Sequence, residues 1–139
     1  VTQPTLTQVR TALATQLSAN ITGLRAVANR TAQVVPPMAV IVPGAGTFMR
    51  YKTTLSGSAD LTLRIVLLVA AADSSLGQDV MDPYVATTGS QSVLAAVQAD
   101  DTLGGAVEYA EVMDAGAYGL LSWNGVDYWG CTFTVVVGI

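Results

Sequence analysis

Any chemistry in this chain would have to come from carboxylates, hydroxyls or one thiol, because its 139 residues contain no histidine, the commonest general base and metal ligand. Glu108 and Glu111 are the nearest approach to a catalytic pair. They fall on opposite faces of one predicted strand, the wrong geometry for shared acid and base work. Asp79, Asp82, Asp100 and Asp101 lack an oxygen-rich loop of calcium type around them, and helix capping and loop solvation account for each more simply. The segment Gly89-Ser90-Gln91-Ser92 leads into a helix, where a plain cap is a simpler reading than an anion site. No nucleophile elbow, phosphate-binding glycine loop or H-E-x-x-H motif occurs. Cys131, the single cysteine, excludes an internal disulfide and reads as a small buried hydrophobe inside a strand. The expectation is therefore no enzyme, with no catalytic, metal or cofactor-binding residue.

Binding is the remaining chemistry. Arg50, Lys52 and Arg64 are half of the six cations, and a hairpin of two neighbouring strands would place them in one sheet region. Two readings stay open for them. They are solvated residues that discourage edge-to-edge pairing, or, with Tyr51, they meet acidic residues of a neighbouring subunit or line a channel. A net charge of −4 argues against a dedicated nucleic-acid binder, which needs a basic stripe to displace counterions.

The elements that position these groups are organised around the stretch Asp60 to Ala72, DLTLRIVLLVAAA. Leu61, Leu63, Ile65, Leu67 and Val69 fall on one face of it and Thr62, Arg64, Val66, Leu68 and Ala70 on the other, which predicts a central strand covered on both faces toward its end. Before it, Thr5 and Gln8 have capping-box spacing, and Leu6, Val9, Leu13 and Leu17 form one stripe, so a helix is expected from Leu6 to Ser18. Residues 25–35 stay undecided between strand and loop. Pro36-Pro37 leads into a strand from Met38 to Val42, closed by Pro43 and the Gly44-Ala45-Gly46 turn. The segment TFMRYKTT then pairs with the central strand.

After Ala72 two short helical pieces are expected, the first capped by Asp73 or Ser74 with Leu76, Val80 and Tyr84 on one side, the chain restarting at Pro83 with Asp82 as cap. Gly89 breaks the chain, Ser90 caps again, and Val93, Leu94 and Val97 face inward. A terminal meander follows: a strand from Ala106 to Met113, a loop at Asp114 to Gly116, a strand from Tyr118 to Trp123, and a last strand from Val126 to Ile139 across an Asn124-Gly125 turn. Trp129, Cys131, Phe133, Val135, Val137 and Ile139 share its core face.

At this length the surface scaling law gives roughly 6,800 Å² of folded area for a single α+β domain spanning residues 1–139. The balance of 51% hydrophobic and 12% charged residues is poor in charge for a solitary monomer, which favours burial of part of the surface against other subunits. The longest apolar runs, about eight to twelve residues, are too short to span a membrane. VTQPTLTQVR lacks the pattern of a secretion signal, and the triplets at Asn20 and Asn29 read as chance glycosylation matches.

The segment Asp82 to Gly105, DPYVATTGSQSVLAAVQADDTLGG, resembles the middle of the small tail terminator, or tail-completion, proteins of long-tailed bacteriophages, particularly those of actinobacterial hosts. The resemblance rests on Asp82 and Tyr84 ahead of a Gly-x-x-Ser turn at Gly89 to Ser92, a short helix, a Leu-Gly-Gly turn at Leu103 to Gly105, and Tyr128 and Gly130 near the end. It also takes in the first helix and Pro36-Pro37. The order of elements read along the chain gives an α+β fold with a mixed or antiparallel sheet, an N-terminal helix and a central helical segment packed on it. The resemblance implies a virion protein that caps the tail tube as a hexameric ring, contacts the tube protein and a head-side connector, and lets the genome pass through. No catalytic residue is carried over, because the motifs are structural. The alternatives are another neck or tail-tube protein, or a soluble bacterial ligand-binding α+β domain with a pocket lined by Tyr109, Tyr118 and Trp123.

Overall fold

The computed structural model describes residues 5–28, 37–44, 46–51, 59–71, 77–123 and 125–139. They form an α+β fold with an N-terminal helix, a mixed sheet of six strands and a C-terminal meander. Helix α1 spans Leu6–Asn20 and begins on the expected capping box: the Gln8 N–H donates to Thr5 Oγ1 at 3.2 Å and the Thr5 N–H donates to Gln8 Oε1 at 2.8 Å. Its inward stripe is Val9, Leu13, Ala14 and Leu17, all buried. The chain then forms β1 (Arg25–Val27), β2 (Met38–Pro43), β3 (Met49–Tyr51) and β4 (Ala59–Ala71). Thus the undecided segment contributes a short strand at its start, parallel to β2; residues 29–36 lie outside the described residues.

Strand β4 is the middle of the sheet, whose order is β1-β2-β4-β6-β5 with β3 also paired to β4. One edge of β4 is shared by two partners: β2 runs against Leu63 to Leu68 and β3 against Ala59 to Leu61. Thr62 holds the junction, its N–H donating to the Phe48 carbonyl at 2.7 Å and its carbonyl accepting from the Gly44 N–H at 2.8 Å. Gly44 suits this close approach, because a Cβ would lie 3.0 Å from Thr62 Cγ2 and Thr62 would have to give way.

Helices α2 (Gly77–Val85) and α3 (Val93–Gln98) lie with α1 on one sheet face. Two expectations are corrected here. The first helix does not stop and restart at Asp82-Pro83; Pro83 sits inside one continuous α2. In so short a helix a proline near the C-terminal end removes a single intrahelical bond. Met81 and Tyr84 face the core, and Val80 is exposed. The expected caps at Asp73 or Ser74 lie outside the described residues. The cap of α3 is Ser92, not Ser90: its Oγ accepts from the Ala95 N–H at 3.1 Å and its hydroxyl donates to the Ala86 carbonyl.

The meander is formed by β5 (Tyr109–Trp123) and β6 (Val126–Gly138), with β6 lying between β5 and β4. The loop expected at Asp114 to Gly116 is a further correction, because β5 runs on through it as one strand. Its register with β6 shifts between Val112 and Asp114 and between Gly116 and Gly119, and Ala117 has φ of 54°. The local residues thus kink the ladder, while pairing to β6 on either side keeps it continuous. Leu61, Leu63, Ile65 and Leu67 of β4, with Cys131, Phe133, Val135 and Val137 of β6, bury the helix-side core. On the opposite face Met38, Val40, Val66, Leu68 and Trp123 form a second, smaller cluster. The central strand is therefore covered on both faces toward its end, as its composition demands.

Candidate interaction surface

Four residues stand out in the sequence as contact candidates: Arg50, Tyr51, Lys52 and Arg64. Arg50 lies in β3 directly opposite Asp60, and Tyr51 opposite Ala59. Paired residues share a face, so Arg50 belongs to the face of Asp60, Thr62 and Arg64, and Tyr51 to the helix side. Tyr51 is 76% exposed. Lys52 lies outside the described residues. Arg64 sits four residues beyond Asp60 on β4, about 13 Å along the strand, so Arg50 is at the sheet's margin and Arg64 near its middle.

Around Arg64 the row across the sheet reads Val42, Arg64, Thr134, Asp114. The guanidinium is half-buried, and its buried Nε has no hydrogen-bond partner among the described residues. A donor left in this way loses its water without gaining an acceptor. Thr132 and Thr134 of β6 and Thr62 of β4 complete a mixed polar strip on this face.

At the end of the strip Tyr109 crosses β6 to reach β4, its hydroxyl donating to Asp60 Oδ1 at 3.2 Å. The register places Gly138 between them, and a Cβ at 138 would collide with the Tyr109 ring. Burial, with the neighbouring Asp60 carboxylate, raises the Tyr109 phenol above its ordinary value. Tyr118 instead donates to Asp82 Oδ1 of α2 at 2.8 Å, and that bond raises its phenol too. Trp123 is buried in the opposite-face cluster at the far end of β5. Tyr109, Tyr118 and Trp123 are therefore spread along a fifteen-residue strand and do not line one pocket.

The carboxylates considered for chemistry are equally dispersed. Asp100 closes a turn, accepting from the Thr102 hydroxyl, the Thr102 N–H at 3.1 Å and the Gly104 N–H at 2.9 Å. These bonds, the Thr102 hydroxyl first, hold its carboxyl below the usual range. Glu108 precedes β5, and Glu111 lies within it. No three carboxylates or thiols among the described residues come together as a metal site, and no helix among them is long and apolar enough to cross a membrane.

The features that sequence reading missed lie at the sheet margins. Among the described residues nothing pairs with the outer edge of β3 or of β5. Along β5, Met113, Tyr118 and Leu120 are 58%, 48% and 52% exposed, and Phe48 beside β3 is also exposed. A groove of about 250 Å³ runs beside β3 between Phe48, Arg50, Asp60 and Thr62. Another, of about 330 Å³, runs beside β5 between Leu94, Asp101, Glu111 and Val112. The loop read at Asp114 to Gly116 hid this edge, because it splits β5 into two shorter strands. No protein-family model matches the chain, and no curated protein matches its sequence.

Proposed function

We propose that this chain is a structural protein of a phage virion, a tail terminator that caps the tail tube as a hexameric ring and joins the tail to the head-side connector. The reading starts from the resemblance of Asp82 to Gly105 to that family. The structural observation that supports it is a sheet with both outer edges unpaired among the described residues and flanked by exposed Phe48, Tyr51, Met113, Tyr118 and Leu120. Exposed apolar groups beside open edges suit a subunit completed by its neighbours. A tail-tube subunit would lean on a single helix, whereas α1, α2 and α3 are present here. In this role geometry replaces catalysis: one ring face matches the last ring of the tube, the other the connector, and the genome passes between.

The test is to mix the purified protein with purified tail tubes and image them. A ring of density at one tube end is the expected result. Failure to bind either end overturns the proposal.

A further inference from the structure

All six Lys and Arg residues lie between positions 10 and 64, and all ten Asp and Glu residues lie between positions 60 and 127. The fold turns this order along the chain into an order across the sheet. The exposed cations Arg25 and Arg50 lie on β1 and β3, on one side of β4. The exposed acids Glu111 and Asp114 lie on β5, the opposite margin, with Asp101 beside the groove there and Glu108 just ahead of the strand. Each margin also carries exposed apolar side chains: Phe48 and Tyr51 on the basic one, Met113 and Leu120 on the acidic one.

We infer that copies of this chain associate head to tail, the acidic β5 margin of one against the basic β1 and β3 margin of the next. A two-fold contact would bring like margins together and set acid against acid or cation against cation, which is unfavourable. A heterologous contact sets opposite charges face to face at every junction and lets the apolar side chains of both margins be covered together. Such contacts close into a ring when the rotation per subunit allows it. This inference rests on the ring reading for its biological setting, but not for its physics: it says which two sides of the protomer meet.

Two charge reversals test it, each checked for folding by circular dichroism and thermal melting. R25E/R50E makes both margins acidic, and E108R/E111R/D114R, which leaves Asp101 as the one acid named at the β5 margin, makes both basic. The wild-type protein is expected to self-associate, with an apparent dissociation constant that rises roughly tenfold between about 0.05 M and 0.5 M salt. Each variant alone is expected to be monomeric. An equimolar mixture of the two is expected to assemble again, because native margins pair with native ones and reversed margins with reversed ones. Folded variants that associate like the wild type, a mixture that stays monomeric, or a wild-type chain that is monomeric at low salt would each overturn the inference. Wild-type assembly of the expected kind without binding to tail tubes would overturn the terminator function alone.

Discussion

Gly138 shows how one missing side chain organises a margin of the sheet. Its bare Cα lets the Tyr109 ring lie across β6 and reach Asp60 on β4. Gly138→Ala is expected to destabilise the protein by about 1–3 kcal/mol, because the Tyr109 ring has to move off position 138 and give up its place against Asp60. Chemical denaturation of the two forms measures the difference. Cys131 is a second residue whose setting has a readable effect. Burial pushes its thiol from 9.0 up to about 11, so the folded state disfavours the thiolate. With the folded value raised, its contribution is fully present below about pH 9 and is lost as pH rises toward 11. Stability is therefore expected to be flat with respect to this group through neutral pH and to fall above pH 9, the raised phenols of Tyr84, Tyr109 and Tyr118 adding to the fall at higher pH. Thermal melts of wild type and Cys131→Ala across this range should show the early part of the decline only in the wild type.

At the scale of elements, the β5–β6 hairpin carries the open acidic margin, and its turn sets its register. Trp123 pairs with Val126 across the turn, and Gly125 has φ of 81°, a conformation that β-branched residues resist. Gly125→Val should destabilise the protein by about 1 kcal/mol or more; an unchanged melting temperature would show that the turn tolerates a side chain. This turn was readable in the sequence because Asn124-Gly125 is a local signal. So were α1, from its capping box and stripe, and β4, from its composition. What was not readable depended on partners distant in sequence. The run from Asp114 to Gly116 reads as a loop, yet β6 holds it as strand. Pro83 reads as a break, yet Met81 and Tyr84 anchor both sides of it in the core. Ser90 and Ser92 are equally good caps by type, and only the path of the chain places Ser92 Oγ under the Ala95 N–H. Of the four contact candidates, Arg50 and Arg64 share a sheet face, whereas the open edge of β5 across the sheet had no signal of its own.

For the whole molecule, Arg64 carries a buried donor, Nε, that the fold does not satisfy among the described residues, so replacing the side chain with methionine removes a desolvated donor while keeping most of the volume. Arg64→Met is expected to leave the protomer as stable or more stable in thermal melts. Loss of stability would show that the guanidinium has a role inside the protomer. The position of β4 also has a consequence for how copies find one another. It marks the border between the cationic first part of the chain and the anionic rest, so each protomer carries a permanent electric dipole lying across its strands. Two such molecules exert a torque on each other while still separated by water, over a range of about a Debye length, ~10 Å at 0.1 M salt. In the head-to-tail association inferred above they would turn nose to tail before they touch, the direction of growth being chosen during the approach rather than after collision.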